Sequence, residues 1–371
     1  MSEPVTMQTI LKRFADPSHL DPRRRQVCRH LQTCRTAALG GQLLQCDECN
    51  GQQRWYHSCR DRHCPQCQGR ASYQWAEWQQ AQLLPVHYYH LVFTLPHELN
   101  GWVALHPEVI YDLLFKATWG TLNRFGHDPK RLGGQIGMSA VLHTWGQYLT
   151  RHVHLHCLVP GGALDEQGQW HATRSNYLFP VRALSRHFRG RMVSALRRAA
   201  THGELHRVTR PGEVNAVLDR LMAKDWVVYT KDCLNYKGTV VKYLARYTHR
   251  IAITNARLVN VDHRRVTFRV KAYRDHNRKK TVTLDGPTFV QRFLLHVLPK
   301  GLMRVRHYGF LANRCRREKL ARIRQILAAM PPSSDAPTPA AKEHPCPHCE
   351  TGRLIVVAVL VPGRHIWVPP G

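Results

Sequence analysis

The cysteines constrain this chain more than any other residue type. Seven of its twelve fall between Cys28 and Cys67, and two more form Cys346-Pro-His-Cys349. Thiols this dense make either a disulfide framework or a set of metal ligands. A disulfide-stapled secreted domain is usually shorter and carries a signal. The N-terminus, MSEPVTMQTILKRF, has no long apolar core and no small-residue cleavage site. The spacing is that of metal ligands. Cys46-Asp-Glu-Cys49 and Cys64-Pro-Gln-Cys67 are two CxxC pairs with fourteen residues between them. Each pair can place two thiolates on one tetrahedral Zn²⁺, and two pairs close a four-ligand site. His30 and Cys34 are four apart, one helical turn, and Cys59 and His63 repeat that separation. The expectation is one structural zinc on Cys46, Cys49, Cys64 and Cys67, and a second on His30, Cys34, Cys59 and His63. His57 and Cys28 are substitutes in the second set. Both sets are closed, with no position left for a catalytic water.

Charge narrows the partner. Lys and Arg number 54 against 25 Asp and Glu, a net charge of +29. A balance this basic points to a polyanion, nucleic acid before all others. Hydrophobic residues make up 43%, enough to bury a core. No apolar run approaches the ~20 residues of a membrane span, so a secreted, membrane-spanning or collagenous chain is excluded. The longest run, residues 354–361, is expected as a buried strand.

The 371 residues leave room for two domains. Helices are expected over 6–15 and 22–36, the second opened by Asp21-Pro22. Short loops carry the cysteines to Cys67, and a helix over 72–84 completes a zinc module of residues 1–85. The body, 86–330, begins with a strand over 87–94 and a helix over 107–125. Strands over 137–146 and 152–159 follow. Then come helices over 182–200 and 213–224, a strand over 226–230 and a helix over 239–249. A hairpin of 251–259 with 265–273, and helices over 287–297 and 313–328, close the body. MPPSSDAPTPAAKEHP reads as a disordered linker to a tail, the two together spanning 331–371. In that tail Cys346-Pro-His-Cys349 reads as half a zinc ribbon, with Glu350 where glycine is usual. It is either a remnant or a site that borrows His344 or another ligand.

Two constellations carry chemistry. In Arg151-His-Val-His-Leu-His-Cys-Leu-Val159 the strand period puts His152, His154 and His156 on one face and Val153, Leu155 and Cys157 on the other. His154-Leu-His156 can hold one divalent cation through imidazole nitrogens; His152–His154 is an alternative pair. If the preceding strand pairs across a turn at 148–151, Gln147 lies opposite His152 and His143 opposite His156, both on the ligand face. In Lys242-Tyr-Leu-Ala-Arg-Tyr-Thr-His-Arg250, Tyr243 and Tyr247 share a helix face about 6 Å apart along the axis. Lys242, Arg246, His249 and Arg250 make that helix cationic, as a phosphodiester partner requires. Trp55, Tyr56 and Tyr73 are candidates for stacking on bases.

Together these residues resemble an HUH endonuclease, in which two histidines flanking a hydrophobic residue hold Mg²⁺ or Mn²⁺. More narrowly, the chain resembles the two-tyrosine rolling-circle transposases of the insertion sequence 91 family over nearly its whole length. The resemblance rests on His57-Ser-Cys-Arg-Asp-Arg-His-Cys-Pro-Gln-Cys67, His143-Thr-Trp-Gly-Gln147, His154-Leu-His156-Cys-Leu-Val-Pro-Gly-Gly-Ala163, Tyr243-Leu-Ala-Arg-Tyr247-Thr-His-Arg250, His296-Val-Leu-Pro-Lys-Gly301 and Arg306-His-Tyr-Gly-Phe310. It implies an α+β fold: a central antiparallel sheet flanked by helices, with an N-terminal zinc module. It implies cleavage and rejoining of single-stranded DNA at transposon ends. Tyr243 and Tyr247 would be the nucleophiles, leaving a 5′-phosphotyrosine and a free 3′-hydroxyl. It implies Mg²⁺ or Mn²⁺ on His154 and His156, with Gln147 as third ligand and His143 second in line. Lys242, Arg246 and Arg250 would contact DNA, the zinc module would position the element's end, and the setting would be the bacterial cytoplasm at the nucleoid. A replication initiator or relaxase shares this chemistry. Two readings stand against it: a non-catalytic zinc-ribbon DNA-binding protein, and an HxHxH hydrolase drawing acidic ligands from Asp165 and Glu166.

Overall fold

The computed structural model describes residues 5–68, 82–173, 178–208, 211–231, 251–272, 275–276, 278–328, 345–349, 351–362 and 367–368. The helix expected over 239–249, with Lys242, Tyr243, Arg246, Tyr247 and Arg250, lies outside these residues. So do Tyr73, His344 and most of the linker and of the helix expected over 72–84.

Helix α1 (Met7–Phe14) opens on a capping box: Thr6 Oγ1 accepts from Thr9 N–H, and Thr9 Oγ1 accepts from Thr6 N–H. Helix α2 (Pro22–Thr33) starts where Asp21 accepts from Arg24 N–H. It stops short of 36 because Arg35 adopts a left-handed φ of +55°. Residues expected as loops form a hairpin instead, β1 (Gly41–Cys46) and β2 (Gln52–Tyr56). Strand β3 (Tyr88–Thr94) leads through α3 (Asn100–Leu105) into α4 (Pro107–Gly126). Strands β4 (Gly137–Trp145) and β5 (Arg151–Pro160) form the second hairpin. A small ribbon, β6 (Gly162–Leu164) with β7 (Trp170–Ala172), precedes α5 (Val181–Thr201) and α6 (Pro211–Ala223).

Strand β8 (Val228–Lys231) is followed by β9 (Leu258–Val261), β10 (Arg265–Ala272) and β11 (Arg278–Asp285). The hairpin expected from 251 begins seven residues later, and β11 was not foreseen. Its sequence Arg-Lys-Lys-Thr-Val-Thr-Leu-Asp has few apolar positions because it covers a core from one side only. Helix α7 (Gly286–Leu294), β12 (Val305–Gly309), α8 (Arg316–Ile326), β13 (Leu354–Leu360) and β14 (Trp367–Val368) complete the chain.

The central sheet has the order β12-β4-β5-β3-β8, with every neighbouring pair antiparallel. Period-2 alternation explains its two faces. Val153, Leu155, Cys157 and Val159 of β5 are buried with Leu91 and Phe93 of β3, under Phe115 of α4 and Phe188 of α5. Each such side chain is worth about 1.5–3 kcal/mol on burial. The opposite face carries the histidines. A second core joins α1 and α2 to the β9–β11 sheet and α7, through Met7, Ile10, Phe268, Phe289 and Phe293. A third unit is the sheet β14-β13-β1-β2. Here the apolar run 354–361 is a strand, as expected, but not a buried one. Ile355 is 51% exposed, because β13 lies on a small sheet that little else covers. Among the described residues no helix is long and apolar enough to cross a membrane.

Candidate functional site

The β4–β5 hairpin sets the histidine geometry. Its connection is a loop over 146–150, closed by Gly146 N–H donating to Thr150 O at 3.0 Å, with Leu149 at φ +57°. His143 therefore faces His154, and Trp145 faces Arg151 across a bulge. The expected partner of His143 was His156. A slip of two residues preserves the face where a slip of one would reverse it, so His143 still joins the ligand side. Gln147 does not. It sits in the loop, where its carbonyl accepts from Arg257 at 2.6 Å and its side-chain oxygen accepts from Lys271 N–H at 3.3 Å. Of the two candidates for the third ligand, His143 rather than Gln147 stands beside His154 and His156.

One ring nitrogen from each of His143, His154 and His156 lies within 4.8 Å of the other two. His143 is 1% exposed and His154 8%. His154 Nδ1 is 2.8 Å from the His152 carbonyl. A carbonyl only accepts, so Nδ1 carries the proton and Nε2 presents its lone pair. His156 Nε2 lies 3.1 Å from His154 Nε2, and His156 Nδ1 lies 2.9 Å from His90 Nε2. If His156 Nδ1–H donates to His90, a second lone pair faces the first. Two such lone pairs repel unless a proton or a cation lies between them. Two ligands at right angles on an octahedral ion, each about 2.1 Å from it, lie about 3.0 Å apart. The donor set fits a divalent cation. His152 contributes its carbonyl rather than its ring, and is exposed.

His90 belongs to this site and was not singled out from sequence. The strand over 87–94 was read, and its period puts Tyr88, His90, Val92 and Thr94 on one face. Pairing β3 with β5 then sets Val92 opposite His156, leaving His90 diagonal to it. Burial, with Lys231 nearby, pushes His90 down to about 3, so it is neutral and able to hold the His156 ring. His90→Ala is expected to weaken divalent-ion binding by about 10–100-fold. A Mn²⁺ titration checks this, and an unchanged affinity would remove His90 from the site.

The acidic ligands a hydrolase would need are elsewhere. Asp165 accepts from Gln169 N–H at 2.7 Å and lies 2.7 Å from His171 Nε2 in the β6–β7 ribbon.

The cysteines assemble differently from their expected pairing. One group is Cys34, Cys59, Cys64 and Cys67. Its sulfurs stand 3.6 Å apart for Cys34–Cys67, Cys59–Cys67 and Cys34–Cys64. Zinc–sulfur bonds of about 2.3 Å in a tetrahedron put sulfurs about 3.8 Å apart, so this group fits zinc. The other is Cys46, Cys49, Cys346 and Cys349. The β1–β2 hairpin separates the two CxxC pairs: Cys46 and Cys49 lie at its tip, whereas Gly41 and Tyr56 pair at its base. Five residues at about 3.3 Å each, roughly 17 Å, lie between.

His30 and His63 belong to neither four-cysteine group among the described residues. Both bind Asp61, His30 Nδ1 at 3.0 Å and His63 Nδ1 at 2.8 Å. Burial alone would raise the Asp61 carboxyl, but the hydrogen bonds from His63 and His30 outweigh it and hold it far below the usual range. Cys28 is buried apart from both groups, its thiol pushed up to about 11 by burial. Beside the first group an open cleft of about 970 Å³ is lined by Arg35, Arg54, Trp55, Tyr56, His57 and Arg60, among others. Trp55 is 40% exposed there, not a core residue.

Known transposases share both regions of this chain. Residues 6–95 match the family model of the transposase zinc-binding domain, and residues 137–319 match a family described as "Putative transposase". The chain is 41% identical to "Putative transposase y4qJ" of Sinorhizobium fredii over 365 residues, covering 93% of this chain and 92% of that one. It is 29% identical over 320 residues to the transposase for insertion sequence element IS801 of Pseudomonas savastanoi pv. phaseolicola, covering 82% and 74%. No solved structure matches. A zinc-binding module and a transposase body, matched together along nearly the full length of a relative, establish that this chain belongs to the insertion sequence 91 family of transposases.

Proposed function

We propose that this transposase cleaves and rejoins single strands of DNA through tyrosine–phosphate intermediates, driving rolling-circle movement of its element. The observation that carries the reading is the convergence of His143, His154 and His156 on one face of the central sheet. Mg²⁺ or Mn²⁺ held there would polarise the scissile phosphate and orient it for in-line attack. His154 is fixed through the His152 carbonyl and His156 through His90. The hydroxyl of Tyr243 or Tyr247 attacks phosphorus. The P–O3′ bond breaks, the 3′-oxygen leaves and takes up a proton, and the 5′-phosphate stays on the phenol. One phosphodiester replaces another, so rejoining needs no nucleotide triphosphate. A free phenol titrates near 10 and is a weak nucleophile at neutral pH, which is why the phosphate must be activated. Two tyrosines allow one end to be held while the other is cut. Lys242, Arg246 and Arg250 are assigned to the phosphates. Tyr229, exposed and in register with Val92 and His156 on the histidine face, offers a stacking surface for a base. A non-catalytic zinc-ribbon protein would leave the histidine cluster without a role.

The test is incubation with single-stranded oligonucleotides spanning the element's ends, with and without Mn²⁺, followed by denaturing electrophoresis. His143→Ala and His154→Ala are expected to lose at least about 10²-fold in metal-dependent cleavage, more than a supporting residue costs. Gln147→Ala should stay within a few-fold of wild type. Cleavage that survives His154→Ala, or that fails in Gln147→Ala alone, would overturn the ligand assignment.

A further inference from the structure

We propose that Cys46, Cys49, Cys346 and Cys349 bind a second structural zinc ion, which fastens the C-terminal strands to the N-terminal hairpin. The matched zinc-binding domain spans residues 6–95 and contains only two of these ligands, and the transposase match ends at 319. The inference concerns the chain's architecture and is independent of the strand-cleavage reading.

Three observations carry it. The first is sulfur geometry: Cys46 Sγ–Cys349 Sγ and Cys49 Sγ–Cys346 Sγ are both 3.6 Å, and all four sulfurs lie within 4.8 Å of one another. That is the spacing of a tetrahedral tetrathiolate, and far longer than the roughly 2.05 Å of a disulfide.

The second is the backbone around the sulfurs. Cys49 N–H donates to Cys46 Sγ at 3.5 Å, His348 N–H to Cys346 Sγ at 3.3 Å and Gly352 N–H to Cys349 Sγ at 3.3 Å. Donors aimed at sulfur favour the charged thiolate that zinc requires. A Cβ at Gly352 would stand 2.4 Å from Cys46 Sγ and 3.2 Å from Cys349 Sγ, and one at Gly51 would stand 3.2 Å from Cys49 Sγ. Each CxxC turn thus has a glycine where the sulfurs need room.

The third is the frame that presents the turns to each other. Strand β13 runs antiparallel to β1 from Leu354 opposite Cys46 to Leu360 opposite Gly41. Asp47 N–H donates to Arg353 O at 3.1 Å, and Arg353 N–H donates to Asp47 Oδ1 at 2.7 Å. Thr351 Oγ1–H donates to Glu48 Oε2 at 2.6 Å. The two turns meet through backbone and side-chain bonds as well as through sulfur.

The test starts from wild-type protein loaded with Co²⁺. Sulfur-to-cobalt charge-transfer absorption reports thiolate ligands and is blind to histidine sites. It is expected to saturate at two Co²⁺ per chain; saturation at one overturns the proposal. The Cys346→Ser/Cys349→Ser double variant should hold one zinc fewer per chain than wild type and show half the charge-transfer intensity. Hydrogen exchange should rise in β1 and β13 and stay unchanged in β4 and β5. Equal zinc in wild type and variant overturns the site. So does finding four of these cysteines oxidised when the wild-type protein is denatured without reductant. The wild-type measurements decide the matter even if the variant does not fold.

Discussion

The Tyr243→Phe/Tyr247→Phe variant is expected to form no covalent adduct with single-stranded end DNA, a loss on the order of the 10⁶-fold that removing a nucleophile costs elsewhere. Phenylalanine keeps the ring and deletes only the attacking oxygen, so packing and zinc content should be untouched. On the proposed mechanism each single variant is expected to keep an adduct through its remaining tyrosine but not to complete the exchange of strands, because the second cut has no nucleophile. Gel-resolved protein–DNA species, compared across wild type, both singles and the double, separate these outcomes. An adduct that persists in the double variant places the nucleophile on another residue. Intact DNA binding with no adduct from wild type, under Mn²⁺ and with the zinc sites filled, argues for a binding protein without strand-transfer chemistry.

Removing zinc from Cys34, Cys59, Cys64 and Cys67 has the largest expected effect on stability. Cys34 and Cys64 are buried in the core that Met7, Ile10, Leu11, Phe268 and Phe289 share. Structural zinc binding is worth about 10–16 kcal/mol at neutral pH, against about 5–15 kcal/mol of net stability for a domain. Cys64→Ser is therefore expected to unfold the N-terminal helices and loosen the β9–β11 sheet, leaving the central sheet folded. Hydrogen exchange read separately over residues 7–33, 258–285 and 137–160 tests this. Retained protection over 7–33 in zinc-depleted Cys64→Ser protein would show that the metal is dispensable there.

Periodicity made the central sheet legible. The alternation Val153, Leu155, Cys157 against His152, His154, His156 determines which residues share a face. Ligand sets depend on pairings that alternation leaves open. The choice between Gln147 and His143 turned on a loop whose length is set by Leu149 adopting a left-handed φ. His90 needed the neighbour of β5 to be known. The sulfur pairing failed for a mechanical reason. Spacing along the chain brings Cys46–Cys49 close to Cys64–Cys67, but the intervening hairpin is stiff and holds them apart. Strands β11 and β12 lacked a clear apolar alternation, since charged or partly covered residues occupy much of both.

The pairing of β1 with β13 also bears on when the amino-terminal sheet becomes complete. At about 5–20 residues per second, Cys346 leaves the ribosome roughly 15–60 s after Cys49. For that interval the first four-cysteine group already has all its ligands, while the hairpin tip carries two cysteines without their partners and an unpaired strand edge. The module made first is thus finished last. A chain broken off before Cys346 keeps His143, His154 and His156 but leaves the β1 edge open, so residues 346–360 serve as a check on the amino-terminal sheet.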